Sequence, residues 1–374
     1  MRSALWVTVA LGFIASPVWS AQSVTNYSWL QLPAADVTGF IGSGTGAPQY
    51  GTAYNIAGTG TAHGESADIR WGDFVWIPDG TTTASGAASY WGGVQLDQAR
   101  NVSKVRVEFW SPNAGGDLVS LKKFYVDQSP DGLTWTNIGS FDYTTFQTSN
   151  RVIKDVTVTA GSYQYLRARL EVGDYTYASS SRGGPGIYLV EPYGTDAALP
   201  DTKVNWANGP TFAVTTSQNG LDFNNSAAAV TGTLTDDEGS RTGDGGAWET
   251  GDYLQFDLKA QRTLSSAFLV WENIYYGTTF DVQYSNSPTG PFTSVTNQSA
   301  PTNYADVQYR GATSETFDAT TAQYWRILNV GGAISGGNSI LSQVEFYSPV
   351  PEPAALGLIG CAALGLLRRR NRRA

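Results

Sequence analysis

Four acidic side chains lie within one glycine-rich stretch, residues 235–246, and this stretch is the best candidate for chemistry. Carboxylate oxygens are ligands that Ca²⁺ prefers, and glycine lets a backbone bend around an ion. The spacing does not fit an EF-hand loop, and a solvated acidic turn is an equal alternative. Asp79, before Gly80, is the corresponding candidate in the first half, where the solvated turn is favoured. The four acids are Asp236, Asp237, Glu238 and Asp244.

Aromatic and arginine side chains near glycines form a second candidate set, for sugar binding. Flat rings stack on the C–H faces of sugars, and a few planar polar groups fix the sugar's orientation. Packing in a core or hairpin is the alternative role for each aromatic residue. The candidates are Trp71, Trp76, Tyr90, Trp91 and Arg182 in the first half, and Trp248, Tyr275, Tyr276 and Arg310 in the second.

Catalytic motifs are missing from the sequence. His63 is the only histidine and lies in a glycine-containing stretch typical of a loop, and neither a Gly-x-Ser-x-Gly elbow nor a His-Glu-x-x-His zinc motif occurs. A pair of facing carboxylates for glycoside hydrolysis stays open as an alternative, because sequence spacing cannot exclude one. We therefore predict that the protein is not an enzyme.

The composition is acidic and typical of exported all-β proteins. Charged residues reach only 15% and aromatic residues 13%, and the formal net charge is −9. Without both terminal segments the charge falls to about −14, which excludes nucleic acid as an expected partner because backbone binding needs a basic surface. The only cysteine is Cys361, so stability must come from burial.

Strictly alternating segments such as Lys104–Phe109 and Thr279–Tyr284 predict β-strands. Four blocks recur in the same order, which indicates a duplicated domain. We place the two copies at residues 22–194 and 195–349, with the join near Gly194–Asp201. The matching blocks are 94–110 with 254–271, 124–132 with 280–290, 163–170 with 322–329, and 183–193 with 336–347.

The repeated blocks resemble the discoidin family, also called coagulation-factor type C domains. The resemblance is carried by Val94–Asp97, Ser129–Trp135 and Tyr165–Arg167, and in the second copy by Phe256–Leu258 and Tyr324–Arg326. It implies two galactose-binding-like jelly-roll sandwiches and a structural calcium at an Asp-Gly loop. Asp131–Gly132 predicts a hairpin with Trp135 as a packing residue, because glycine tolerates positive φ. Residues 287–292 depart from the pattern and leave the second hairpin's turn type open.

The N-terminus predicts a secretory signal peptide over residues 1–21. Arg2 supplies a positive charge, residues 4–15 an apolar helix, and Pro17–Ala21 a small-residue exit. The remaining chain is therefore expected to be exported.

The C-terminus, residues 350–374, combines a turn tripeptide, an apolar run and five arginines. As a helix, residues 354–367 span only about 21 Å, whereas a bilayer core is about 30 Å thick. Such a segment suits transient insertion into the inner membrane, with the arginines held in the cytoplasm. This order resembles the PEP-CTERM sorting signal of Gram-negative bacteria, which implies that an exosortase-type membrane protease recognises the tripeptide and removes the tail. The tripeptide is Pro351, Glu352 and Pro353.

Together these features predict an all-β protein with two tandem jelly-roll β-sandwich domains, flanked by an N-terminal signal helix and a C-terminal hydrophobic sorting helix. The first functional hypothesis is a cell-surface or matrix protein that binds extracellular polysaccharide. The alternative is a structural or adhesive matrix protein without a defined ligand site.

Overall fold

The structure, a computed structural model, describes the strands and part of the turns between them. Most of the described residues lie in β-strands, which confirms the predicted all-β class. The described residues are 21–33, 36–43, 49–50, 89–110, 119–147, 151–171, 175–177, 186–207, 214–218, 223–224, 240–242, 251, 253–272, 279–297, 310–331 and 340–350.

The strands of the first half form one antiparallel hydrogen-bonded network. They are β1 (Ala21–Ser28), β2 (Val37–Ser43), β3 (Gln49–Tyr50), β4 (Tyr90–Trp110), β5 (Val119–Ser129), β6 (Thr136–Gln147), β7 (Arg151–Leu170), β8 (Tyr175–Tyr177) and β9 (Gly186–Pro200). The order is β1-β9-β4-β7-β5-β6, and β2 also pairs with β4, β3 with β2, and β8 with β5. A 3-10 turn, Trp29–Gln31, follows β1.

A bend in β4 at residues 97–99 divides this network into two layers. Before the bend, Tyr90–Leu96 pairs with β2 and the second half of β7; after it, Lys104–Trp110 pairs with β9 and the first half of β7. The rings of Phe109 and Phe124, one from each layer, lie 5.0 Å apart between centroids. The two layers therefore face each other as a sandwich.

The strands of the second half form a separate network with the same plan. They are β10 (Val214–Gln218), β11 (Phe223–Asn224), β12 (Ser240–Thr242), β13 (Tyr253–Glu272), β14 (Thr279–Ser285), β15 (Thr293–Ser294), β16 (Arg310–Gly331) and β17 (Ile340–Tyr347). The order is β11-β12-β17-β13-β16-β14-β15, and β10 also pairs with β13. The prediction of two tandem jelly-roll sandwiches is confirmed.

Alternation along each strand decides which side chains enter a core. Val105, Val107 and Phe109 of β4 are fully buried, while Lys104 and Arg106, which alternate with them, lie on the opposite face and are partly exposed. Full burial of each large apolar side chain contributes about 1.5–3 kcal/mol. Fully buried aromatic side chains in the two halves include Trp29, Phe109, Phe124, Trp206, Phe256, Trp325 and Phe346.

Strand pairing corrects one detail of the predicted sequence match. In the first copy, Val94 pairs with Leu166. The residue of the second copy that corresponds to Leu166 is Trp325, and it pairs with Phe256, whereas the sequence match had aligned Val94 with Leu254. The counterpart of β4 is therefore shifted by two residues along β13. Side chains two residues apart share one face of a strand, so the inward and outward pattern is the same in both alignments.

The predicted join near Gly194–Asp201 overlaps the last part of β9. Strand β9 continues to Pro200, and its last residues pair with β1, from Tyr27 opposite Gly194 to Ala21 opposite Pro200. The first sandwich therefore includes residues 195–200, and the connection to the second begins with the 3-10 turn Asp201–Lys203.

Two tyrosines join the sandwiches. The hydroxyl of Tyr27 accepts a hydrogen bond from the backbone N–H of Asn205 at 3.0 Å. The hydroxyl of Tyr347 lies 2.9 Å from the backbone oxygen of Gln31. All four of these residues are buried.

Both predicted terminal helices, in residues 1–21 and 350–374, lie outside the described residues apart from Ala21 and Val350. Among the residues that the structure describes, no helix has the length and apolar character needed to cross a membrane.

Candidate functional site

In the first sandwich, several strand ends meet at one end, which we call the loop end. Because β4 bends back on itself, Tyr90 and Trp110 both lie toward this end. Tyr90 pairs with Leu170, and Trp110 pairs with Gly186 and Arg151. The sequence segments that carry Trp71, Trp76 and Arg182 connect to these strand ends.

The second sandwich has an equivalent loop end. Tyr253 pairs with Leu328, and Glu272 pairs with both Arg310 and Ile340. Residues 243–250 and 273–278, which include Trp248, Tyr275 and Tyr276, connect to strand ends in this region.

Most predicted site residues lie outside the described residues. The backbones of Tyr90 and Arg310 are described, and they begin β4 and β16 at the two loop ends. Among the described residues, no group of three or more His, Cys, Asp and Glu side chains could hold a metal ion. Predicted residues outside the described part are Trp71, Trp76, Asp79, Arg182, Asp236, Asp237, Asp244, Trp248, Tyr275, Tyr276, Pro351, Glu352 and Pro353, and His63 lies there too.

Trp91 is described, and its environment argues against the predicted sugar-stacking role. Its side chain is only 3% exposed. The ring contacts Phe40 edge-on, with centroids 6.1 Å apart, and the guanidinium of Arg167 lies 5.3 Å from its centroid. Trp91 therefore packs within the protein, because its neighbours on β2 and β7 cover it.

Trp91 belongs to a group of side chains on the outer face of one layer, which we call the Arg167 cluster. The guanidinium of Arg167 also lies 4.1 Å from the centroid of a second ring, that of Trp135. The Nε atom of Arg167 donates to the Asp127 carboxylate at 3.0 Å, and Arg169 donates to the same carboxylate at 2.5 Å. The cluster consists of Trp91, Asp127, Trp135, Arg167 and Arg169.

The hairpin that carries Trp135 has the predicted form. Gly132 has a φ of 74°, a conformation that glycine adopts without strain. The Asp131 carboxylate accepts the backbone N–H groups of Leu133 and Thr134 at 2.8 and 2.7 Å. These bonds hold the pKa of Asp131 at about 2. The prediction that Trp135 packs is confirmed by its contact with Phe40, 5.7 Å between centroids.

Charge pairing controls the electrostatics of the cluster. Burial alone would raise the pKa of Asp127, but hydrogen bonds from Arg169 and Asn137 and the charge of Arg167 hold it below its ordinary value. Burial lowers the pKa of Arg167, and Asp127 opposes that shift. Asp127 is 2% exposed, and its ionised carboxylate accepts hydrogen bonds from Asn137, Arg167 and Arg169.

The second sandwich repeats this arrangement as the Arg326 cluster. The guanidinium of Arg326 lies 4.7 Å from the centroid of Tyr253 and 4.0 Å from that of Phe292. Its Nε atom donates to the side-chain oxygen of Gln283 at 2.7 Å. The Gln283 amide in turn donates to Asp281 at 3.0 Å.

In both clusters the arginine is bound within its own sheet. The arginines are held between rings, and their polar atoms bind side chains of the same sheet. The sequence indicates Arg167 and Arg326 only as the last residues of a discoidin-like motif. Their position at the same place in the two copies was the signal that could have identified them.

The C-terminal residues give the clearest comparison with known proteins. Residues 349–373 match the PEP-CTERM protein-sorting motif. The chain carries a PEP-CTERM sorting signal. This motif indicates an exported protein that is sorted to the cell surface, as the sequence predicted. A search of curated proteins gives no match.

The fold is similar to solved carbohydrate-binding modules. One is the family 32 module of AlyQ in complex with 4,5-unsaturated mannuronic acid, with 23% identity, a TM-score of 0.28, and coverage of 37% of this chain and 96% of that one. Another is the CBM32-1 and CBM32-2 pair of Clostridium perfringens ZmpB, with 10% identity, a TM-score of 0.28, and coverage of 88% and 100%. The family 32 module of C. perfringens NanJ, in complex with galactose, has 21% identity, a TM-score of 0.27, and coverage of 36% and 92%.

Proposed function

We propose that this exported protein binds extracellular polysaccharide through the loop ends of its two sandwiches, at the surface or in the matrix of a Gram-negative bacterium. An exosortase-type protease removes the sorting tail after transient insertion into the inner membrane. The protein acts as a binding protein and not as an enzyme.

One observation carries the proposal. In each sandwich the strands that flank the predicted aromatic segments end in the same region, next to Tyr90 in the first copy and Tyr253 in the second. Loops at one end of a rigid sandwich are where such folds place ligand contacts. Aromatic rings brought together there offer apolar faces to sugar rings.

Binding of residues 21–350 to matrix and plant polysaccharides tests this function. Trp71→Ala with Trp76→Ala should weaken binding by the first sandwich, and Tyr275→Ala with Tyr276→Ala by the second. Leu133→Ala is the control, because Leu133 is 72% exposed in the hairpin that follows β5. Flat isotherms with every glycan would reject the proposal.

The alternative is a structural or adhesive matrix protein without a ligand site. The burial of Trp91 favours this alternative. Among the aromatic residues predicted to bind sugar, Trp91 is the one whose side chain the structure describes, and it is not exposed to a ligand. Under this alternative, the aromatic double variants would change stability but not glycan retention.

A structural Ca²⁺ ion completes the proposal. Asp236, Asp237 and Asp244 would hold it in the second sandwich and Asp79 in the first, because their carboxylate oxygens are hard ligands. Added Ca²⁺ should raise the thermal midpoint of residues 21–350 and a chelator should lower it. Equal midpoints in calcium and chelator would exclude the ion.

A further inference from the structure

A tryptophan and an arginine are stacked at the same place in each sandwich. The Arg100 guanidinium lies 5.3 Å from the centroid of Trp29, and that of Arg262 lies 4.2 Å from the centroid of Trp206. The two arginines are equivalent, since Arg100 opposes Tyr163 on β7 and Arg262 opposes Ala322 at the same place on β16.

In the first sandwich the arginine is neutralised. Arg100 donates to both carboxylate oxygens of Asp97 at 3.1 and 2.9 Å, and to Asp196 at 3.3 Å. Its side chain is 2% exposed. These charge-assisted bonds offset the loss of water around the guanidinium.

In the second sandwich both acids are replaced. Lys259 occupies the position three residues before Arg262, where the first copy has Asp97, and Val350 lies three residues after Tyr347, where the first has Asp196. In the described part of the chain, Arg262 has no carboxylate partner, and its Nε atom is buried without a hydrogen bond. A buried donor of this kind favours an anion.

The sorting signal begins beside this arginine. The indole of Trp206, on which Arg262 stacks, donates to the Ser348 hydroxyl at 3.0 Å. Arg262 therefore lies against the face of this indole and Ser348 against its edge. Glu352 is four residues further along the chain, and four extended residues span at most about 14 Å, so its carboxylate can reach Arg262.

We propose that Arg262 binds the carboxylate of Glu352, so that the second sandwich holds the sorting tripeptide of the precursor against its own surface. Charge complementarity and the short connection from Ser348 select this occupant. The bound tripeptide has a fixed position relative to the fold until the tail is removed. This contact is independent of polysaccharide binding.

A double-mutant cycle in the full chain, in neutral detergent, tests the contact. Arg262→Gln and Glu352→Gln should each lower the thermal midpoint by about 1–4 °C, and the double variant should fall no further than either one. The charge exchange Arg262→Glu with Glu352→Arg should recover part of the loss. Arg100→Gln is the matched control, and its effect should add to that of Glu352→Gln because Arg100 is bound by Asp97 and Asp196.

Two outcomes would overturn the proposal. Additive effects of Arg262→Gln and Glu352→Gln would mean that the two groups do not interact. Alternatively, vesicles of phosphatidylcholine and phosphatidylglycerol could raise the midpoint of the native chain and of Glu352→Gln equally, but not that of Arg262→Gln. The anion at Arg262 would then be a lipid phosphate and not Glu352.

Discussion

In the Arg167 cluster of the first sandwich the central arginine binds a carboxylate, whereas in the Arg326 cluster of the second it binds an amide. Asp127 opposes Arg167, and Gln283 opposes Arg326. Burial lowers the pKa of both arginines, so the two guanidiniums are desolvated in similar ways. The geometry of the stack is therefore compatible with either partner.

A second substitution accompanies the first. In the first copy, Arg169 pairs with Trp91. In the second copy, Tyr253 takes the place of Trp91, and its partner is Leu328 instead of an arginine. The first cluster thus has two arginines, which bind Asp127 and Glu171, and the second has one arginine near Asp281. Charge balance, rather than a particular ion pair, is therefore retained across the two copies.

The largest expected effect follows from removing the shared carboxylate. Asp127→Ala leaves Arg167 and Arg169 without their common partner and should destabilise the first sandwich by about 4 kcal/mol. Gln283→Ala removes one neutral acceptor and should cost the second about 1–2 kcal/mol. Urea unfolding of residues 21–350, with hydrogen exchange to separate peptides of β5 from those of β14, measures both.

Equal losses of stability in the two variants would contradict this expectation. If Asp127→Ala and Gln283→Ala cost the same, the carboxylate contributes no more than an amide. Charge balance would then not explain why the copies differ.

The copies also differ around a buried glutamate. Each sandwich has a carboxylate 2.6 Å from the hydroxyl of the tyrosine two residues later, in the pairs Glu191–Tyr193 and Glu345–Tyr347. Arg106 stands opposite Glu191, whereas Phe268 stands opposite Glu345. The residue opposite the buried glutamate is therefore a cation in the first copy and an apolar ring in the second.

The pH dependence of the first sandwich should reveal Glu191. Burial raises the pKa of Glu191 to about 7 from an ordinary value of 4.5, although Ser28, Tyr193 and Arg106 oppose the shift. The folded state then binds the proton more tightly, so this stability is complete below the unfolded pKa and declines as the pH rises toward 7, by roughly 3 kcal/mol.

Urea unfolding at about pH 4.5, 6 and 8 measures this decline. Glu191→Gln should flatten it in the first sandwich, because an amide does not titrate, while Glu345→Gln should leave the first sandwich's slope unchanged. An unchanged slope in Glu191→Gln would assign the decline to another group.

Placing the second cluster's residues in the first sandwich tests whether charge balance stabilises the arginine clusters. Asp127→Gln alone leaves two guanidiniums against an amide, and adding Arg169→Leu removes one of them. The second change should recover about 1–2 kcal/mol of the stability lost in the first. The same urea experiment measures this, and a double variant less stable than Asp127→Gln alone would contradict charge balance.

Local patterns in the sequence predicted much of the fold. Alternation identified the strands around Val105 and Val282, and Asp131–Gly132 identified the first hairpin, because these signals lie within a few residues. The two-residue shift along β13 was missed because a shift of two preserves which side chains face the core. The pairing of residues 195–200 with β1 could not be predicted from local patterns, because β1 is far away in sequence.

The residues of each arginine cluster come from segments that are far apart in the sequence. Arg167 meets Trp91, Trp135 and Asp127 from three other segments, so no single stretch of sequence specifies the group. The predicted sugar-binding residues stay predictions for the same reason. Their types suit the chemistry, but which of them meet depends on the approach of distant segments.

The smallest effect concerns a backbone feature that both hairpins share. Gly132 has a φ of 74° and Gly290 a φ of 85°, although the two turns differ in sequence and length. A Cβ atom is disfavoured in this region, so Gly132→Ala should cost about 1 kcal/mol in the first sandwich and Gly290→Ala about as much in the second. Urea unfolding of residues 21–350 measures both changes.

Asparagine provides the matched control, because it tolerates positive φ better than alanine does. Gly132→Asn should therefore retain about half of the stability that Gly132→Ala loses. If alanine and asparagine were equally neutral at position 132, backbone conformation would not explain the glycine. The similarity between the two hairpins would then rest on their side-chain contacts, of which Trp135 on Arg167 and Phe292 on Arg326 are the equivalent pair.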